Sequence, residues 1–215
     1  MLCPVDTASV PLVLPTSPPS AAARDGVIAC SMIRQNEVLF IGAKSGKIER
    51  RLRVENPRGV HFDNAGRLLV LSGTKLLRFA DAAATSGETL IASGLEDPRH
   101  ITSDAGGNLF ITDRGASHQV KIFSANRKFV AAIGKAGAPA MGAYDPLHLN
   151  NPNGVAVDSQ GRVWVAEADN FPRRVSVWTQ RGELVRATGQ RNAALATRIT
   201  GVEHDDRVTA QIRHH

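Results

Sequence analysis

The sequence has little cysteine, few aromatic residues and no long hydrophobic run. Its two cysteines, Cys3 and Cys30, are too few for a disulfide framework and lack the spacing of a zinc site. Aromatic residues make up only 5% of the chain, which argues against a surface that stacks on unpaired nucleic-acid bases. No apolar run approaches the roughly 20 residues of a membrane-spanning helix, so membrane insertion is not expected.

The composition is otherwise that of an ordinary globular protein. The chain has 215 residues, of which 42% are hydrophobic and 21% charged. Its formal net charge of +6 would favour an anionic partner if the cations were clustered, but most of them are scattered. The densest cationic run, residues 47–53, is predicted to be a solvent-exposed strand edge. These properties leave the cellular compartment open.

One pattern occurs three times in the chain, at residues 56–72, 97–113 and 151–167. The copies are offset by 41 and 54 residues. Each copy contains two short alternating segments that flank an Asp-x-x-Gly turn, which is typical of a β-hairpin. The shared residues are a proline, an aspartate and a glycine: Pro57, Asp63 and Gly66; Pro98, Asp104 and Gly107; Pro152, Asp158 and Gly161. We expect the aspartates and glycines to form the turns.

Two further strands follow each hairpin, and the first of them carries an aromatic residue. Phe79, Phe123 and Trp178 occupy this position and are predicted to pack between neighbouring units. Four short antiparallel strands in about 40–45 residues, without helical periodicity, are typical of a propeller blade. Residues 26–54 supply the later strands of one more blade, whose first strand is not evident. The sequence therefore predicts an all-β propeller with about three complete blades and one partial blade.

These residues resemble the NHL-repeat family, whose units carry Pro-x-Gly, Asp-x-x-Gly and a closing Asp. The stretch 152–170 matches closely, with Glu167 at the closing position, while 98–113 keeps Asp113 but has His100 where glycine is usual. The stretch 57–72 ends in Ser72. The resemblance implies a β-propeller that usually closes with six blades. We favour the interpretation that the chain is a fragment of a longer propeller; the alternatives are a small closed ring or pairing with another chain.

The sequence divides into three regions. Residues 1–24 are predicted to be a disordered leader, with a degenerate secretory signal as the alternative. Residues 25–190 carry the blades. Residues 191–215 have no repeat anchor and are predicted to be a poorly ordered tail.

Three polar segments are predicted to converge on one face of the propeller near its channel: 112–119, 144–153 and 166–174. Loops of this kind carry function on a rigid scaffold. The candidate ligand-binding residues in them are Asp113, Arg114, His118, Tyr144, Asp145, His148, Glu167, Asp169 and Arg173.

The predicted function is a binding scaffold for a protein or saccharide ligand, with no cofactor. The alternative is a metal-assisted lyase or hydrolase, an activity that the resemblance also allows. Imidazole and carboxylate groups would then hold a divalent metal, and the candidate ligands are His100, His118, His148 and Glu167. Self-association through open blade edges is also expected. The sequence does not predict the ligand, the compartment, the number of blades in a closed ring or the oligomeric state.

Overall fold

The fold is seen in a computed structural model, which describes residues 20–81, 83–139, 145–167 and 174–189. Within these residues the chain forms four antiparallel sheets, each with four strands in chain order. The first two sheets contain β1 (Ala21–Arg24), β2 (Val27–Met32), β3 (Glu37–Gly42) and β4 (Ile48–Arg53), then β5 (Pro57–Phe62), β6 (Leu68–Ser72), β7 (Lys75–Phe79) and β8 (Glu88–Ile91). A short 3-10 helix, Ile33–Gln35, joins β2 to β3.

The third and fourth sheets have the same order. They contain β9 (Pro98–Ser103), β10 (Leu109–Asp113), β11 (Gln119–Phe123) and β12 (Phe129–Ile133), then β13 (Pro152–Val157), β14 (Val163–Glu167), β15 (Arg174–Trp178) and β16 (Leu184–Gly189). Within the described residues, no helix is long and apolar enough to cross a membrane.

The repeated aspartates form the hairpin turns, as the sequence predicts. Asp63 Oδ1 accepts the backbone N–H groups of Ala65 at 3.0 Å and Arg67 at 2.9 Å. Asp104 and Asp158 accept equivalent bonds from the residue four positions later, both at 2.9 Å. The glycine of each turn has a positive φ, between 75° and 81°, which costs a glycine little because it has no Cβ.

The first strands of consecutive sheets lie side by side: β1 contacts β5, β5 contacts β9, and β9 contacts β13. These strands are therefore the inner strands of the arrangement. Because strands alternate in direction, the loops between second and third strands emerge at the same end as the connections between sheets. We call this end the loop face. It carries residues 112–119 and the described parts of the other two selected segments, residues 145–153, 166, 167 and 174.

Three hydrophobic clusters fill the spaces between the four sheets. The first lies between sheets one and two, the second between sheets two and three, and the third between sheets three and four. Phe79, Phe123 and Trp178 each belong to a different cluster and are 2%, 4% and 0% exposed. Their predicted role in packing between neighbouring units is confirmed.

No such cluster joins the first sheet to the fourth among the described residues. The substantial contacts between sheets all join consecutive sheets. The described strands thus form an open arc of four blades. Within the part of the chain that the structure describes, one face of the first sheet and one face of the fourth have no neighbouring sheet against them.

The first blade is complete, which corrects the prediction of a partial blade. Its first strand, β1, is the alanine-rich segment Ala21–Arg24, which lies within the predicted leader 1–24. Alanine has a low strand propensity, so the segment gave no strand signal. The turn after it did carry a hairpin signal, the dipeptide Asp25-Gly26. Both residues have positive φ values, 49° and 79°, as a two-residue hairpin turn requires. The rest of the predicted leader and the predicted tail 191–215 lie outside the described residues.

Candidate functional site

Asp113 is the last residue of the repeated pattern in the third sheet, and its carboxylate is bound by other residues of the chain. Its side chain is fully buried at the end of β10 and forms an ion pair with Lys121 Nζ at 2.7 Å. Its two oxygens accept the backbone N–H groups of Glu96 at 3.0 Å and Asp97 at 2.7 Å. Burial alone would raise the pKa of Asp113, but the hydrogen bonds from Lys121 and the two backbone groups outweigh it and lower the pKa. Asp113 therefore fastens the connection before β9 to the end of β10.

Glu167 does the same in the fourth sheet. Its Oε2 accepts the backbone N–H of Asn150 at 2.6 Å, and its Oε1 pairs with the buried Arg174. Burial raises the pKa of Glu167, and the neighbouring Arg174 opposes that effect. Arg174 also donates to the carbonyls of Pro146 at 2.9 Å and His148 at 2.6 Å. The two buried carboxylates thus have structural partners on the loop face.

The segments 112–119 and 145–151 do come together on the loop face. Arg114 donates through Nε and Nη2 to Asn151 Oδ1, at 3.1 Å and 3.0 Å. His118 Nδ1 accepts the backbone N–H of Asn151 at 3.1 Å. The loop between β10 and β11 is therefore hydrogen-bonded to the connection that leads into the fourth sheet. A ligand-binding role for these residues stays a prediction.

Asp145 and His148 lie in the same connection. Asp145 pairs with Lys135 Nζ at 2.6 Å, and this hydrogen bond lowers the pKa of the exposed Asp145 carboxyl. The Nδ1 atom of His148 is buried, with no hydrogen-bond partner among the described residues. The remaining three candidates, Tyr144, Asp169 and Arg173, lie outside the described residues.

His100 lies on the inner strand β9 and not in a loop. Burial lowers its pKa, and a hydrogen bond with the backbone of Val155 on β13 opposes that effect. His100 occupies the position where the family pattern has glycine, and its ring is accommodated beside the inner strand of the fourth sheet. In the described part of the chain, no three His, Cys, Asp or Glu side chains are grouped as ion ligands would be. Metal binding by His100, His118, His148 and Glu167 stays a prediction.

A charged cluster that the sequence analysis missed lies at the loop end of the inner strands. The carboxylate of Asp97 binds Arg58 Nη1 on β5 at 2.6 Å and Arg99 Nη2 on β9 at 2.6 Å, with Arg99 Nε at 3.1 Å. We call Arg58 and Arg99 the arginine pair. A signal for it was present in the sequence, because both residues directly follow the repeat proline. Their meeting required two neighbouring blades.

A comparison with protein-family models finds the NHL repeat at residues 149–178. These residues cover the connection before the fourth sheet and the strands β13 to β15. The resemblance to the NHL repeat is confirmed for these residues. A comparison with curated proteins finds no match.

Solved structures with a similar fold include propellers of different activities. Hydrazine synthase of Kuenenia stuttgartiensis matches with a TM-score of 0.60 and 15% identity, over 87% of this chain and 53% of its own. The nidogen/laminin complex matches with a TM-score of 0.60 and 18% identity, over 80% of this chain and 63% of that one. Virginiamycin B lyase from Staphylococcus aureus matches with a TM-score of 0.57 and 15% identity, over 83% and 56%.

These similarities confirm the predicted all-β propeller fold. At such low identity they establish the fold alone. The chain spans between 53% and 63% of the length of these three structures.

Proposed function

We propose that this protein is a binding scaffold whose loop face holds a ligand carboxylate at the arginine pair. The observation that carries the proposal is the sharing of one carboxylate, Asp97, by Arg58 and Arg99 at the loop end of the inner strands. The three side chains are between 20% and 31% exposed, so a ligand can reach them.

The cluster is held in place by its surroundings. The Asp97 backbone N–H is bound by the buried Asp113, and its carbonyl accepts the backbone N–H of Arg114 at 3.0 Å. Arg58 and Arg99 stand on strands that contact each other. Because the geometry is fixed before binding, little ordering entropy opposes association.

The arginine pair has hydrogen-bonding capacity to spare. Three hydrogen bonds join its guanidinium groups to Asp97, whereas each guanidinium group carries about five N–H donors. Arg58 Nε is buried and has no hydrogen-bond partner among the described residues. The cluster also has one more positive than negative charge. Planar guanidinium forks match carboxylates in geometry as well as in charge.

Other features of the face support a scaffold. The two buried carboxylates, Asp113 and Glu167, are engaged in fastening loops. One neighbour of similar fold was solved as the nidogen/laminin complex, which supports a protein ligand. A saccharide that bears carboxylates would offer the same chemistry.

The test uses two fluorescein-labelled probes, a hexaglutamate peptide and an oligogalacturonate, titrated with the purified chain in a fluorescence anisotropy assay. The double variant Arg58→Gln/Arg99→Gln is expected to weaken binding of the preferred probe by about tenfold or more, since charge-assisted bonds contribute roughly 1.5–3 kcal/mol each. The preferred probe tells whether the ligand is a peptide or a saccharide.

The control is Arg51→Gln/Arg78→Gln, which removes the same charge from β4 and β7, the fourth and third strands of their sheets. Non-specific attraction to a basic protein would weaken equally in both double variants. That result, or no binding of either probe, would refute the proposal.

A further inference from the structure

Each internal interface of the arc is made from two different halves. One half is the face that a sheet turns toward the following sheet, as in Phe110 and Val120 of the third sheet. The other half is the face that the following sheet turns back, as in Val163 and Trp178 of the fourth. All four side chains are fully buried in this interface. The interface is therefore heterologous, with two complementary surfaces.

The fourth sheet carries the first kind of half, and no other sheet of the described residues packs on it. The guanidinium groups of Arg162 and Arg186 lie over the Trp164 ring on this side, 6.0 Å and 5.3 Å from its centre. Trp164 and Val175 occupy the repeat positions of Phe110 and Val120: Trp164 pairs with Val177 across β14 and β15, as Phe110 pairs with Ile122 across β10 and β11. Val175 is 41% exposed, whereas Val120 is 0% exposed. We call this surface the trailing face; Ala156 and Ala166 are its other exposed apolar residues.

The first sheet carries the second kind of half, and among the described residues no other sheet packs on it. Ile28 pairs with Ile41 across β2 and β3, as Leu109 pairs with Phe123 in the third sheet. A register shift at Ile41 repeats the one at Phe123. Ile28 and Ile41 are half-buried, and Ile48 beside them is 37% exposed. We call this surface the leading face.

We propose that the trailing face of one copy of this chain packs on the leading face of a second copy, and that the trailing face of the second copy packs on the leading face of the first. Two chains then close a ring of eight blades. The occupant follows from continuity with the internal interfaces, because each open face is the half that the other one lacks. A heterologous contact of this kind either closes into a ring or continues into a filament. Propellers typically close with 4–8 blades, so two arcs of four fall within that range.

The first measurement is the mass of the purified chain by light scattering across a range of concentrations. We expect a discrete species of twice the chain mass of 23.0 kDa. Val175→Asp on the trailing face and Ile28→Asp on the leading face should each weaken association by roughly 100-fold, because each would bury an unpaired charge in both contacts. Val130→Asp is the control, since Val130 is 61% exposed on β12 of an internal sheet and should not alter the mass.

Mixing the two variants tests the heterologous geometry and shows that both variants fold. A mixed pair has one wild-type contact, formed by the trailing face of Ile28→Asp and the leading face of Val175→Asp. Association should therefore recover in the mixture. A monomer at every concentration, a dimer insensitive to both substitutions, no recovery on mixing, or masses that grow beyond the dimer would each overturn the proposal.

Discussion

Gly59 and Gly154 occupy the same position of the repeat, but only one of them faces a neighbouring sheet closely. A Cβ on Gly59 would lie 2.9 Å from Leu71 Cδ1, 3.0 Å from the carbonyl oxygen of Arg99 and 3.0 Å from the Cα of His100. Two of these atoms belong to the backbone of β9, and Leu71 is fully buried, so none of them can move freely. A Cβ on Gly154 would meet only Ala166 Cβ, at 3.5 Å, which is an ordinary contact.

Gly59→Ala should therefore destabilise the chain by about 1–3 kcal/mol through overpacking. Gly154→Ala should be neutral or stabilise by about 0.4–1 kcal/mol, because alanine restricts the unfolded chain. The assay is urea unfolding followed by circular dichroism, at a protein concentration low enough to keep the chain monomeric. Equal free energies of unfolding for the two variants would refute the close approach of β5 to β9, and with it the inner-strand packing.

Three further predictions concern the charged groups. Asp113→Asn should lower the free energy of unfolding at neutral pH by about 3 kcal/mol, since it leaves Lys121 without its buried partner. Ser72→Ala, at the equivalent position of the second sheet, should lower it by about 1 kcal/mol. Equal losses in urea unfolding would contradict the role of Asp113 as a buried ion-pair partner. Burial lowers the pKa of His100 from 6.5, so the unfolded chain binds a proton first and stability should fall as the pH drops below that value. Burial lowers the pKa of His61 as well, so His100→Gln should reduce but not remove this loss in the pH profile measured by thermal unfolding. Treatment with EDTA should leave the melting temperature unchanged if the chain is a scaffold. Loss of about one equivalent of metal together with a lower melting temperature would favour the metal-assisted enzyme, provided that His118→Ala abolishes both effects.

The pH dependence has a second window at lower pH. The pKa of Asp113 is lowered from 3.8, so the stability that its pairing contributes is present above that value. It is lost as the pH falls through the lowered pKa of the folded chain. The Asp113→Asn variant should lose less stability in this window than the wild type. An undiminished loss would assign the window to the other carboxylates whose pKa is lowered, Asp63, Asp145 and Asp158.

The sequence alone determined the features that depend on short stretches of chain. The Asp-x-x-Gly turns, such as that at Asp63, follow from an aspartate that accepts neighbouring backbone N–H groups and a glycine that adopts positive φ. The alternation of apolar residues set the faces of the strands, and the repeat length set four strands to a blade. Phe79 could be assigned to packing because its position recurs in every complete repeat.

Only the tertiary structure decided which distant residues meet. The ligand-binding role of Asp113 stays a prediction from the sequence, but its hydrogen bonds with the backbone N–H groups of Glu96 and Asp97 follow only from the packing of β10 beside the preceding connection. Arg58 and Arg99 are 41 residues apart and meet at Asp97 because two inner strands lie side by side. Such contacts depend on how sheets stack, and stacking is set by the summed burial of many side chains, which no short stretch of sequence encodes.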